Sequence, residues 1–287
     1  LLAESRLLAG LMSGVGAVAF AAATDLTTPA TRARAMAWIG ASFSLGFILG
    51  PAAGGLLAGD DASATNYALI GYVAVGALAA TGQPDLQEGF GPMPGGFIHV
   101  PYDDVAAAEA AVGAKTAAVL VEPIIGEGGV IVPSEGYLRA LRDLCDRTGA
   151  LLIFDEVQTG VGRTGTLYAY EHLGVTPDIL TSAKGLGGGM PIGALLARDE
   201  AANGFVPGSH GSTFGANPVS CRAALAVLEA LEDGVLANAV RAGERLGERL
   251  DELAHKHAIV KEVRGRGLMR GIELDRPARP LVERALG

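Results

Sequence analysis

Lys184 stands near the head of a glycine run, Thr181-Ser182-Ala183-Lys184-Gly185-Leu186-Gly187-Gly188-Gly189-Met190-Pro191. Glycine loses more chain freedom on folding than any other residue, so several together need a reason. One reason is that the backbone passes close to something bulky, and a ring cofactor bound covalently to the lysine amine would be such a group. That bond needs a neutral amine, which an apolar pocket supplies by disfavouring the charged form. A surface lysine in a flexible loop is the alternative. Upstream lies Phe154-Asp155-Glu156-Val157-Gln158, with Asp155 twenty-nine residues before Lys184. Here an apolar strand hands an acid to its carboxyl end, and a carboxylate buried there needs a cationic partner. A protonated pyridine nitrogen is one such partner; the carboxylate keeps it charged and makes the ring an electron sink. The alternative is an aspartate that caps the next turn.

Two further stretches could serve the same site. Gly208-Ser209-His210-Gly211-Ser212-Thr213-Phe214-Gly215-Ala216-Asn217-Pro218 places small and hydroxyl residues just before a helix. Free backbone N–H groups and the helix dipole favour an anion such as phosphate there, although an ordinary capped Gly/Ser loop would look alike. Val121-Glu122-Pro123-Ile124-Ile125-Gly126-Glu127-Gly128-Gly129 sets two acids around a tight turn; a solvated loop is the alternative.

These residues need elements to hold them. Ala117–Val121, Leu151–Phe154, Ile179–Leu180 and Ile192–Leu196 are short apolar runs that predict buried strands. Ser134–Arg147 puts Leu138, Leu141, Leu144 and Cys145 on one helical face, with Ser134 as the expected N-cap. Pro218–Leu231 and Leu236–His257 predict two more helices. Strands alternating with helices imply an α/β fold with a largely parallel sheet covered on both faces. Ligands in such sheets gather at the carboxyl ends of strands, where Asp155 and Lys184 fall.

The chain has 287 residues, a net charge of −9 and 49% hydrophobic residues. The first 80 residues hold few charges, among them Arg6, Arg32 and Arg34, whereas the remainder has ordinary globular composition. Nucleic acid is excluded as a partner, because phosphate binding needs clustered Lys and Arg and no basic stripe is present. Cys145 and Cys221 make no C-x-x-C pattern and read as buried free thiols of a reducing compartment. No metal is expected. No secretory signal is visible; the sequence opens on Leu1 and reads as a fragment cut at both ends. Three stretches without charge, 7–24, 35–59 and 62–84, are each near the length of a membrane-spanning helix. The excess of arginine in 25–34 places that connector in the cytosol and delivers residue 85 onward to the same side. The alternative is three Ala- and Gly-rich helices buried in a soluble core.

With Ala79-Ala80-Thr81-Gly82-Gln83-Pro84, Gly91-Pro92-Met93-Pro94-Gly95-Gly96-Phe97 and Gly160-Val161-Gly162-Arg163-Thr164-Gly165, these motifs resemble in order and spacing those of the class III aminotransferases, over about Gly76 to Gly287. The resemblance implies a pyridoxal 5'-phosphate cofactor and a fold-type-I transferase large domain, a mixed and mostly parallel sheet with helices on both faces, over 81–257. Residues 258–287 would open a smaller domain. Lys184 would be the catalytic residue, holding the cofactor through its amine and shuttling the proton. Asp155 would pair with the pyridine nitrogen, Val157 would pack on the ring and Gln158 would reach the ring oxygen. Glu156, in the same run, is counted with them as cofactor-binding. Thr213 would bind the phosphate, in this family across the interface of a homodimer. Ser212 would lie near substrate, and Glu127 looks like the family's gating acid, which pairs with an arginine that moves between amino-acid donor and 2-oxo-acid acceptor. The implied reaction moves an amino group from N-acetylornithine, or a related ω-amino substrate, to 2-oxoglutarate. Val73 stands where the family's pattern has a substrate-binding arginine, the ring-stacking aromatic is replaced, and the upstream phosphate-cradling turn and the arginine expected to meet Glu127 are not in the sequence. Weak turnover is therefore expected.

Residues 1–80 resemble a different family. Arg6-Leu7-Leu8-Ala9-Gly10 and Gly46-Phe47-Ile48-Leu49-Gly50-Pro51-Ala52-Ala53-Gly54-Gly55 are similar to motifs of the fourth and fifth helices of major facilitator drug antiporters, where small residues let helices pack closely. The resemblance implies apolar, transmembrane-type helices ahead of the enzyme part and a join between Tyr67 and Ala80. A chimera follows as the expectation, cytoplasmic over 81–287 and membrane-associated where 1–80 inserts.

Overall fold

Leu152 and Phe154 are wholly buried on one strand, and the sheet is organised around them. The computed structural model describes residues 78–90, 92–204 and 215–285. They fall into two compact units, dividing between Gly95 and Gly96. The described part of the first unit is short. Its backbone is helical at 78–80, breaks at Thr81, and resumes as α1 (Pro84–Gln87) with proline at its start. The Gln87 amide fastens the break by donating to the Leu78 and Thr81 carbonyls at 3.2 and 2.9 Å.

The second unit holds the predicted α/β arrangement. In chain order it runs α2 (Val105–Ala111), β1 (Ala118–Val121), α3 (Tyr137–Thr148), β2 (Leu151–Asp155), α4 (Tyr170–Leu173), β3 (Ile179–Ser182), a 3-10 turn (Lys184–Gly187) and β4 (Ala194–Ala197). After these come α5 (Asp199–Ala202), α6 (Pro218–Ala230), a π turn (Leu231–Val235), α7 (Leu236–Lys256), the hairpin β5 (Val260–Arg266) and β6 (Met269–Leu274), and α8 (Arg279–Ala285). The sheet order is β1-β2-β3-β4, parallel through β3, with β4 antiparallel to it. Alternate residues of β2 face opposite ways: Leu152 and Phe154 pack with Leu138, Leu141, Leu144 and Cys145 of α3, while Leu151, Ile153 and Asp155 lie half-buried on the other face.

Helix α3 has the predicted apolar stripe but not the predicted start. It begins after Gly136, and Ser134 is no N-cap: its N–H and hydroxyl both go to Asp103, at 3.0 and 2.7 Å. A carboxylate distant in sequence outcompetes the local cap. Helix α6 does open as its sequence implies, with the Asn217 side chain accepting from Val219 and Ser220 N–H groups. Asp178 ties the amino ends of the sheet together. Its Oδ2 accepts from the Leu152 N–H at 2.8 Å and from Arg142 at 2.7 Å, and its carbonyl takes the Arg198 N–H.

The hairpin clusters with the sheet rather than apart from it. Its turn residue Gly267 sits at φ 57°, and a Cβ there would lie 2.5 Å from the Thr164 carbonyl carbon. A Cβ on Gly243 of α7 would lie 2.6 Å from the Gly267 carbonyl carbon, so helix and hairpin meet at two glycines, against the backbone of the 160–165 loop. Leu268 N–H donates to Arg163 O at 3.0 Å across the same junction. Among the described residues no helix is long and apolar enough to cross a membrane. The expected spans 7–24 and 35–59 lie outside the described residues, as does most of 62–84.

Candidate active site

The parallel register places Asp155 opposite Thr181 at the carboxyl ends of β2 and β3. Lys184 follows two residues after β3 ends, as the first residue of the 3-10 turn. The Asp155 carboxylate is oriented by two donors on one oxygen: Oδ1 accepts from the Val157 N–H at 3.0 Å and from the Thr181 hydroxyl at 3.2 Å. The first bond is the turn-capping role read as an alternative. Among the described residues no hydrogen bond falls on Oδ2, which leaves that oxygen for a further partner.

Beside these strand ends is a cavity of about 380 Å³, lined by Glu127, Val157, Gln158, Lys184 and Gly185 among others. That is the size of a small-molecule site. Three of the five non-glycine residues with left-handed φ among those described, Val130 (57°), Val161 (55°) and Lys184 (46°), line it. A side chain in that region costs about 1–2 kcal/mol, more for β-branched valine. Such strain persists only where the surroundings over-determine it, and it gathers at functional sites.

Burial pulls the Lys184 amine below its ordinary pKa, and the carboxylates of Glu127, Asp155 and Glu122 oppose that shift, in decreasing order. The lysine thus has a polar, acid-lined surrounding and a weakened hold on its proton. Glu127 accepts from the Gln158 amide at 2.8 Å, so these two predicted site residues act as a pair. Glu122 accepts the Gly126 N–H at 2.9 Å, and burial pushes its carboxyl pKa up.

The structure puts Val157, Gln158, Glu127 and Lys184 on the cavity wall, with Asp155 at the adjoining strand end, and it corrects one assignment. Glu156 is wholly buried and its carboxylate does not reach the cavity. Its oxygens accept from the Thr159 hydroxyl at 2.6 Å and from the Ala169 and Tyr170 N–H groups at 2.8 Å. It ties the loop after β2 to the start of α4 and is not a cofactor contact. Thr213 and Ser212 lie outside the described residues. The glycine run also receives neighbouring side chains, while Gly185 lines the cavity. A Cβ on Gly187 would meet Ile192 at 2.9 Å, one on Gly188 would meet Val227 at 2.9 Å, and one on Gly185 would meet Val161 at 3.3 Å. The glycines admit neighbouring side chains, which wedge the lysine turn in place.

Sequence reasoning did not single out Thr181, Val161 or Gly126. Thr181 could have been found by aligning the ends of two parallel strands. Gly126 could have been found as a glycine between two acids: a Cβ there would overlap the Gln158 side chain. Cys145 fits its reading, being free, buried and pushed up to about 11 by desolvation, hence unreactive, whereas Cys221 is free but only half-buried.

The class-III aminotransferase family model matches residues 72–287. A Major Facilitator Superfamily model matches residues 1–120 and so overlaps it. The described elements in the overlap are α1, α2 and the start of β1, none of membrane-spanning length. The chain is 54% identical over 212 residues to an acetylornithine aminotransferase of Mycolicibacterium smegmatis, covering 74% of this chain and 54% of that protein. Among solved structures it is similar to the ornithine aminotransferase of Toxoplasma gondii ME49, with a TM-score of 0.67 and 43% identity over 70% of this chain and 49% of that one. It is also similar to the acetylornithine aminotransferase of Elizabethkingia anophelis, with a TM-score of 0.60 and 41% identity over 65% of this chain and 49% of that one. The chain spans about half the length of the curated relatives it matches. With the family model matched over three quarters of its length, the chain belongs to the class-III aminotransferase family.

Proposed function

We propose that the chain carries the pyridoxal-phosphate centre of a transaminase, with Lys184 as the catalytic residue. The observation that carries this reading is a partly buried, conformationally strained lysine beside an aspartate whose one engaged oxygen leaves the other open. The residues fit the cofactor by charge and room: a carboxylate at a strand end, an amine whose proton affinity burial lowers, and a cavity of about 380 Å³. Bound there, pyridoxal phosphate would supply an aldehyde and an electron-withdrawing ring that stabilises negative charge on a substrate carbon.

The protein's own residues would do the rest. Lys184 Nζ, its proton affinity lowered by burial, would take up and return the proton. Asp155 holds a positive charge at Oδ2, oriented by Val157 N–H and Thr181. Val157 offers an apolar wall, Gln158 a hydrogen-bond donor, and Glu127 an acid that can pair with an incoming cation. Thr213 would hold the phosphate and Ser212 would lie near substrate, in a homodimer.

The amino donor is N-acetylornithine or a related ω-amino compound, and the acceptor 2-oxoglutarate; the named activities of the relatives support this choice. Assaying the purified chain with N-acetylornithine and ornithine in parallel, each with 2-oxoglutarate, tests it. Weak glutamate formation that favours N-acetylornithine is expected, because Val73 offers no cation to a carboxylate. Robust turnover would overturn the expected impairment, and preference for unacetylated ornithine would overturn the choice of donor.

For the amino-terminal part a second reading has its own support. The match to the Major Facilitator Superfamily over 1–120 and the scarcity of charge before residue 80 favour a transporter-derived segment joined to the enzyme. The enzyme part would then lie in the cytosol, with the membrane reached through residues 1–80. Sequencing the native locus decides it: one uninterrupted frame with a matching transcript would end the idea of an accidental fusion.

A further inference from the structure

Val130 is a β-branched residue held at φ 57°, in the turn that carries Glu127. Something must hold it there. The turn is closed by Ile125 and Ile131, which exchange N–H···O bonds of 3.0 Å, and the Gly129 and Val130 N–H groups both reach the Gly126 carbonyl at 3.2 Å. Those bonds are local. The remaining hold comes from the hairpin. Arg264 of β5 donates from Nε to the Gly129 carbonyl at 2.9 Å. Its Nη1 is held by Glu262 at 2.8 Å and by Glu273 across the hairpin. The Arg264 side chain is 21% exposed and its two carboxylate partners are more than half exposed, so what the contact supplies is geometry, one guanidinium held by three acceptors. Gly271 of β6 completes the seat: a Cβ there would lie 3.1 Å from the Gly129 carbonyl oxygen and from Val130 Cβ. Two carboxylates thus aim one guanidinium at one carbonyl of the strained turn.

We propose that Arg264 is a positioning residue: it clamps the Ile125–Ile131 turn to the β5–β6 hairpin and so keeps Glu127 on Gln158 in the Lys184 cavity. The consequence at the cavity rests on the pyridoxal-phosphate reading; the clamp does not. Arginine is required because only its planar fork can meet two carboxylates and a carbonyl together, which an ammonium point charge cannot.

Hydrogen exchange on the full chain, without added cofactor, tests the clamp. In Arg264→Ala, exchange in residues 125–131 should rise about tenfold, the loss of one charge-assisted hydrogen bond, while α3 and β2 exchange as before. Arg264→Lys should restore part of the protection. If Arg264→Ala folds poorly, the pair Glu262→Gln and Glu273→Gln loosens the same guanidinium and should speed exchange in the same segment. A pyridoxal-phosphate titration then reads the positioning. Arg264→Ala and Glu127→Ala should each weaken affinity several-fold, and the double variant no more than either alone, since both act through one contact. Unchanged exchange in the turn, an equal rise throughout the core, or additive losses of affinity would each overturn the proposal. A wild-type chain that takes up no pyridoxal phosphate would refute the proposed function and the clamp's effect on the cavity together, leaving the clamp itself to the exchange result.

Discussion

Glu156→Ala should cost about 3–5 kcal/mol of folding free energy without acting directly on the cofactor. The carboxylate is wholly buried and accepts three hydrogen bonds, two of them from the backbone of Ala169 and Tyr170. Those backbone donors cannot turn to another acceptor as the Thr159 hydroxyl can, and a buried unsatisfied donor costs about 1–3 kcal/mol. The vacated side-chain volume adds about 1 kcal/mol. Glu156→Gln keeps one accepting oxygen but turns an N–H₂ toward a donor, so its cost should be about half. Urea unfolding followed by far-ultraviolet circular dichroism, without cofactor so that ligand linkage adds nothing, measures both. For a folded unit of this size the alanine variant should melt roughly 10 °C lower. A loss under about 1 kcal/mol accompanied by weaker cofactor binding would refute the reasoning and return Glu156 to the cofactor.

Three further outcomes follow from the same geometry. Asp178→Ala leaves the Leu152 N–H without its acceptor and takes one of two carboxylates from the buried Arg142, which keeps Asp146, and should cost about 1–3 kcal/mol, whereas removing the exposed Arg198 should cost under about 1 kcal/mol; equal effects in urea unfolding would contradict the anchoring role. Glu122 is pushed up by burial, so the folded chain holds its proton more tightly than the unfolded chain. Its contribution is therefore full below the ordinary glutamate range and is lost as pH rises through the folded value; the stability difference between wild type and Glu122→Gln should shrink or reverse over that window, and a pH-independent difference would refute it. Lys184→Gly removes the left-handed strain and the desolvated amine, and should keep stability or raise it by about 1 kcal/mol while ending covalent cofactor capture; a large destabilisation in thermal melts would contradict the strain argument.

What the sequence disclosed and what it withheld divide by range. Asp155 and Lys184 were legible because each follows a short apolar run, and a parallel sheet brings such runs' ends together. The α3 stripe was legible from helical spacing. The start of α3 was not, because Ser134 is claimed by Asp103, a partner 31 residues away. Glu156 was misplaced for a local reason: successive residues leaving a strand face opposite ways, so it could not share the site with Asp155 as readily as Val157 does. The Arg264 contact to Gly129 spans 135 residues and leaves no trace in either local pattern. The glycine run was noticed for its rarity, but the side chains packed against it were not legible, since glycine marks a close approach without saying what approaches.

The most direct measurement is a visible-absorbance titration of the purified chain with pyridoxal phosphate, followed by borohydride reduction and dialysis. A saturable band that becomes permanently attached on reduction, is absent in Lys184→Ala and needs much more cofactor in Asp155→Ala, is the predicted result. A band of equal strength and equal retention in Lys184→Ala would contradict the assignment of that amine as the cofactor's anchor.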